Sequence, residues 1–449
     1  MKKLFASVGL VAIGAASAHA QYAPGLTPLE MSKAWSVSAE LRGFYDDNYL
    51  TLPKGLAEHS WGTEISPSAS VNHSVQDTLF SASYMYDLRW YEDHSVTDQA
   101  HEFNGRLEHE FSDRFKLSIN ESFVVAQEPN VLDSTVVSSP LRIEGNNVRN
   151  TGQLDFTVEL TKLLDLHMGY ANTVYAYQQH AGDVIGYNTS VASPINPYAY
   201  APGYLATTGF VPSRSAALDR MEQLATVDLR WKATPDTTGV FGYQYENVNY
   251  TSPELIIYPN ASYPGGAYSN VRNEDDHFAF IGADHSFTPN LNGSIRVGGE
   301  YVDYYKIDTS RLSPYVDANL TWQYTPLSSA QVGVKHIHNS TDVTGATTPV
   351  LDTDATAVYA SVNHKITDQF TVNAMGQAQY STFVGGDYYG QGSLNGRGEN
   401  FYVLGINLAY HFNPWFMTEA GYNYSKLNSD VYQRGYTRNM VYLGFRASY

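Results

Sequence analysis

The chain of 449 residues contains no cysteine. That absence removes a disulfide framework and thiolate metal sites, and it removes the acylated cysteine that anchors a lipoprotein. Beyond the first sixteen residues no stretch approaches the ~20 consecutive apolar residues of a membrane helix. Positive charge is also scarce. Against 45 Asp and Glu stand 27 Lys and Arg, a formal net charge of -18, which argues against nucleic acid as a partner.

Tyrosine, by contrast, is abundant, with 36 copies in a chain that is 14% aromatic. Its ring suits an apolar medium and its hydroxyl suits water, so it gathers where lipid meets water. At the start, Lys2 and Lys3 precede an uncharged apolar run, Leu4 to Ala16, and Ala18-His19-Ala20 follows. Small residues at Ala18 and Ala20 occupy the two positions a signal peptidase reads, which predicts a cleaved signal peptide over 1–20. Residues 21–34 then form a short periplasmic segment, too short for a plug domain, and 35–449 form the remaining domain.

One pattern recurs along that domain: apolar residues at alternate positions, an aromatic or His, then a polar turn. Copies are Ser70 to Asp77, Arg106 to Asp113, Thr226 to Asp236, Ile281 to Asn290, Leu320 to Pro326, Val362 to Asp368 and Leu408 to Pro414, with a weaker one at Phe156 to Leu163. Each is followed at once by another alternating run, and two period-two runs joined by a short turn make a β-hairpin. Eight hairpins, a leading strand Trp35–Gly43 and a closing strand Asn439–Tyr449 predict an all-β fold. It is a closed antiparallel transmembrane β-barrel of about eighteen strands, with short periplasmic turns and long extracellular loops.

The alternation also assigns faces. Val227, Leu229 and Trp231 point one way while Asp228, Arg230 and Lys232 point the other. The apolar set must meet lipid, because Arg or Lys at mid-bilayer costs ~2–4 kcal/mol. His73, His109, Trp231, His285, Trp322, His364 and Tyr410 then form one girdle near the periplasmic end. Glu121 and Lys162 fall on outward positions, so a bulge or register change is expected at each.

At the terminus, Tyr442, Gly444, Ala447 and Tyr449 resemble the assembly signal of outer-membrane barrels, and the stripe they close must pair with the strand from Trp35 to abolish free edges. The opening Ala39 to Tyr49, the repeat and the terminal signal together resemble the second putative β-barrel porin family over roughly residues 35–449. A likeness to barrels encoded with exopolysaccharide synthesis genes accompanies it. The resemblance implies a bacterial outer-membrane barrel without an established substrate, and it carries across no catalytic or ligand residue.

The expected pore lining includes Glu40, Arg42, Asp87, Arg89, Arg106, Glu108, Asp228, Arg230, Arg296, Glu300, Asp317, Lys335 and Glu419, whose signs nearly cancel. Asp46/Asp47, Glu92/Asp93, Glu274/Asp275/Asp276 and Asp352/Asp354 read as a solvated acidic rim rather than as Ca²⁺ ligands. His336 and His338 continue the outward register of Val332 and Val334, so they read as interfacial residues rather than metal ligands. The functional reading is a porin passing small polar solutes with a weak preference for cations. A polysaccharide-export barrel, a barrel-wall enzyme and a structural barrel are the alternatives. No cofactor is expected. Expected partners are outer-membrane lipid, lipopolysaccharide, the barrel-assembly machinery and small polar solutes, with homo-oligomerisation left open. The loop from His180 to Ala217, rich in Pro and Tyr, is expected to constrict or cap the pore.

Overall fold

The computed structural model describes residues 33–93, 97–126, 146–181, 212–388, 392–431 and 434–449. The signal peptide with Ala18 and Ala20, most of segment 21–34, and residues 182–211 of the long loop lie outside them.

Eighteen strands form one sheet. They are β1 (Trp35–Asp46), β2 (Ser60–Val75), β3 (Thr78–Tyr91), β4 (Thr97–Ser112), β5 (Phe115–Ala126), β6 (Asn147–Thr161), β7 (Leu164–Tyr177), β8 (Arg220–Thr234) and β9 (Thr237–Tyr250). The second half comprises β10 (Glu274–Thr288), β11 (Leu291–Tyr304), β12 (Thr309–Thr325), β13 (Ser328–Asn339), β14 (Val350–Lys365), β15 (Phe370–Gly385), β16 (Gly398–Asn413), β17 (Phe416–Ser429) and β18 (Tyr436–Ser448). Each strand pairs antiparallel with the next in sequence, and β1 pairs with β18 from Ser38↔Ser448 to Asp46↔Met440. The barrel is closed. All eight hairpin turns lie at one end, and the long connections lie at the other, which is extracellular in barrels of this class.

Period-two sequence explains the wall. Along β1 the outward Trp35, Val37 and Leu41 are about half exposed, whereas Ser36, Ser38, Glu40 and Arg42 are buried inside. In β8, Val227, Leu229 and Trp231 are likewise exposed and Asp228 is buried. This inverts a soluble core, as lipid on the outer face requires.

The outer face carries two aromatic belts. Near the turns, His109 meets Phe111 edge-on at 4.4 Å, His285 meets Phe287 at 4.6 Å, and Tyr410 meets Phe412 at 4.9 Å. The Nδ1 atoms of His109 and His285 each lie 2.8 Å from the hydroxyl of the Thr that opens the preceding strand, Thr78 and Thr237. Eight residues toward the loops stand His101, His277 and Tyr402. His101 Nδ1 bonds the Tyr84 hydroxyl at 2.8 Å and His277 Nδ1 bonds that of Tyr243 at 2.6 Å. Eight residues at ~3.3 Å each, tilted ~40°, separate the belts by roughly 20 Å of height, close to the ~25 Å apolar band of such barrels. These paired anchors sit on β4, β10 and β16, every sixth strand, a third of the circumference apart.

Of the two irregularities expected, the one at Glu121 is absent and the one at Lys162 is present. Glu121 lies in unbroken register, opposite Gly105 on one side and Gly152 on the other. It stays on the outer face because those neighbours lack side chains: a Cβ at Gly152 would sit 3.0 Å from Glu121 Oε2. Lys162 lies in the exposed β6–β7 turn, and the register shift occurs just before it, between Glu159 and Thr161.

Candidate channel: the inner wall and the extracellular mouth

The inner wall is densest in charge where the sheet closes. Arg42 lies 2.6 Å from Glu40, 3.1 Å from Glu64 and 2.6 Å from Glu419, and Arg89 lies 2.6 Å from Glu64. Ser66 donates to Asp87, Asn407 donates to Glu419 at 3.0 Å, and Arg446 donates to Ser38 at 3.1 Å. The Arg42 guanidinium also covers the Tyr442 ring at 4.7 Å. Strands β1, β2, β3, β16, β17 and β18 are thus tied by one inward network that neighbouring side chains cover. Removing one partner of such a buried pair typically costs ~3–5 kcal/mol, because the other charge is stranded.

Toward the turns the inward charges are partly open to water. Arg106 pairs with Glu108, and Lys116 lies 2.6 Å from Glu110. His167 bridges Asp155 at 3.3 Å and Asp228 at 3.5 Å, Arg230 lies 3.6 Å from Asp228, and Lys232 lies 2.9 Å from Asp165. Arg296 lies 2.8 Å from Asp284 and stands opposite Asp317, which stands opposite Lys335. All the charges expected to line a pore therefore project inward. Glu40, Arg42, Arg89, Asp228, Glu300 and Glu419 are nevertheless packed under neighbours rather than bathed in water.

The acidic rim is a larger correction. Asp46 is buried against Arg438 at 2.6 Å, and Asp47 accepts from the Asn439 side chain at 2.6 Å. Glu274, Asp276 and Asp352 are buried beneath the mouth, and Arg311 binds Asp354 at 2.5 Å. Among these acids Glu92 and Asp93 are exposed. His338 is also inward and buried, with Nε2 3.1 Å from Glu274 Oε1. The β12–β13 ladder ends at Val316↔His336 while β13 stays paired with β14 through His338↔Asp354, so on its β12 side His338 has no neighbouring strand in register and lies against Glu274 instead of lipid. His336 stays half-buried, its Nδ1 2.7 Å from Thr356 Oγ1.

The mouth itself is organised by the β13–β14 loop, residues 340–349, to which the sequence alone assigned no role. Thr341 to Ala346 are all buried. From the β9–β10 loop, Arg272 donates to Thr341 O at 2.9 Å and to Ala217 O, and Asn260 donates to Thr347 O at 3.0 Å. From the opposite side, Arg434 reaches Asp342 at 2.7 Å and Glu399 at 2.8 Å. Burial would lower the Arg434 guanidinium, and these two carboxylates outweigh it and hold it well above its ordinary value. Val343 packs with Val350, Phe383, Leu394 and Val431. Gly345 is required at φ +89°, where a Cβ would lie 2.1 Å from Thr348 O. Loops from distant points on the ring therefore meet across the mouth through this segment. The described end of the loop expected to cap the pore, helix α1 (Arg214–Leu218), packs beside it against Tyr177, Ile256 and Ile257.

Asp387, in a two-strand ribbon of the β15–β16 loop, ties this segment down. It accepts from Thr347 N at 2.8 Å, Thr347 Oγ1 at 2.6 Å, Thr348 N at 2.7 Å and Thr348 Oγ1 at 3.1 Å. Burial alone would raise its carboxyl, and these bonds outweigh it, holding it below the ordinary 3.8. A depressed carboxyl stabilises above its unfolded pKa, and that stabilisation is lost as pH falls through the folded value. Channel current should therefore be steady from pH 7 to 5 and become larger or noisier below 3.8. Asp387→Asn should show the low-pH behaviour throughout. Identical pH curves for both proteins would contradict this anchoring role.

With this geometry in place, comparison with known proteins gives one family. Residues 262–449 match the model of the family described as Putative beta-barrel porin 2. The matched stretch holds β10 to β18, half the strands, whereas the sequence resemblance was expected over 35–449. Among solved structures, Acinetobacter baumannii OccAB4 is 11% identical, covering 94% of this chain and 100% of that one, with a TM-score of 0.41. Pseudomonas aeruginosa OpdK with vanillate is 9% identical over 92% and 99%, with a TM-score of 0.41. The siderophore receptor PirA from Acinetobacter baumannii is 8% identical over 93% and 81%, with a TM-score of 0.46. Identity this low says nothing of a shared solute. No curated protein matches in sequence.

Proposed function

We propose that the chain is an outer-membrane channel for passive diffusion of small polar solutes, with a weak preference for cations. One observation carries the reading: a closed eighteen-strand barrel turns lipid-compatible residues outward and a polar, paired-charge wall inward. A barrel of that size encloses more volume than its wall side chains fill. The inward charges nearer the short turns are the more open to water, and the β13–β14 loop is the element that would narrow the other end. Lined mostly by neutralised pairs, the wall discriminates weakly between ions. The chain's excess of acids, 45 Asp and Glu against 27 Lys and Arg, tilts it toward cations.

Reversal potentials of the purified protein across a KCl gradient test this. Cation preference should be modest in low salt and fade as salt rises, since screening shortens to ~10 Å at 0.1 M. Anion preference in low salt would overturn the selectivity, and an absence of any current would overturn the channel.

A further inference from the structure

Under the mouth, Glu274 and Asp276 on β10 and His338 on β13 bring one ligand atom each within 4.8 Å of one another, all three side chains buried. His338 Nε2 and Glu274 Oε1 are already 3.1 Å apart. Two ligands at ~2.0–2.1 Å from a tetrahedral zinc ion lie roughly 3.3 Å apart, so a small inward shift of Asp276 completes a three-ligand set. Asp276 is the second, independent observation. It is 1% exposed, it gives one carboxylate oxygen to the cluster, and its Oδ1 has no hydrogen-bond partner among the described residues. Carboxylates surround it: Glu246, Glu274, Glu300 and Asp352 are its electrostatic neighbours. Buried oxygens of Glu274, Glu300 and Asp352 are unsatisfied as well. Buried polar atoms left without partners are expensive, and several carboxylate oxygens of this kind around one histidine make an environment that favours a cation.

We propose that Glu274, Asp276 and His338 bind a divalent transition-metal ion, which fastens the base of the mouth loop. A mixed nitrogen and oxygen donor set favours an ion such as Zn²⁺ over Mg²⁺ or Ca²⁺, which take oxygen alone. The surroundings supply the outer support such a histidine needs, because His338 Nδ1 lies 3.3 Å from Asp352 Oδ1. Arg311 Nη2 also lies 2.5 Å from that nitrogen. On binding, Nε2 gives its lone pair to the metal, the ring proton moves to Nδ1 and points at Asp352, and Arg311, which can no longer donate to that nitrogen, turns from it to the carboxylates it already holds, Asp352 and Asp354. The ion would lie beside both attachments of the mouth loop: Arg272, which grips Thr341, is two residues before Glu274, and Thr341 is three after His338.

Metal content needs no conductance, so its outcome is separate from that of the channel reading. The folded, detergent-solubilised protein, stripped with EDTA and dialysed against Zn²⁺, should retain about one zinc per chain. Asp276→Asn and His338→Gln should each weaken retention at least about tenfold, while Glu92→Gln, at an exposed acid, should leave it unchanged. Titration of Co²⁺ into the unmutated protein should give visible absorption that stoichiometric Zn²⁺ abolishes, a readout that survives if a variant misfolds. No zinc retained by the folded protein, or unchanged retention in folded His338→Gln, would overturn the site. So would retention of Ca²⁺ alone.

Discussion

Replacing Gly444 with leucine should leave the chain unassembled, migrating on unheated gels as the denatured form. Gly444 faces inward on β18, opposite Arg42, and a Cβ there would lie 2.8 Å from Arg42 Cγ and 3.2 Å from Glu40 Oε1. A leucine would push Arg42 off its three carboxylates at the seam that closes the barrel. Stranding a buried charge costs ~3–5 kcal/mol, a large share of the ~5–15 kcal/mol that holds a typical fold together. Leu443→Val, one residue away on the lipid face, should assemble normally. Deleting Tyr449 should weaken closure by a different route. Its backbone exchanges bonds with Val37 at 2.8 and 3.2 Å, and its ring lies 5.4 Å from that of Trp35. Normal heat-modifiable migration of Gly444→Leu would show that the seam network is dispensable.

The number of strands and the faces they present were legible because both are local. A period-two run and a polar turn can each be read in a window of about ten residues. The terminal glycine was legible as part of an assembly pattern, but its reason was not: Arg42 and Glu419, which pack around it, lie far away in sequence. The mouth escaped for the same reason. Thr341-Asp342-Val343-Thr344-Gly345-Ala346 looks like a solvated linker, and its burial depends on Arg272 and Arg434, 69 and 92 residues from their partners. Val343 and Gly345, an apolar residue and a turn glycine in so short a connection, were the available signals. His338 was misplaced because the pairing of β13 with β12 ends at His336 although its pairing with β14 continues, and a strand's own alternation does not say what lies beside it once one neighbour has gone. Asp276 and Asp352 were misplaced because charges near strand ends are usually solvated, and folded-over loops cover these. Glu121 was misread because two glycines on neighbouring strands, not a bulge, give it room.

The second large effect concerns that mouth. With Thr341 to Thr348 replaced by four Gly and Ser residues, β13 and β14 keep their ladder from Asn339↔Thr353 downward. Arg272, Arg434 and Asp387 lose the segment on which they converge, and Val343 leaves its apolar cluster. A constriction sets the resistance of a wide pore, so removing it should raise single-channel conductance roughly twofold or more. Cation preference should fall with it, because a wider mouth lets salt screen the wall charges from the current path. The most direct measurement is therefore paired single-channel recording of the unmutated protein and this loop variant in planar bilayers, each first shown to be folded. The account predicts discrete ohmic steps from both, clearly larger in the variant. Equal steps would place the constriction elsewhere, and the absence of steps from both would contradict a channel altogether.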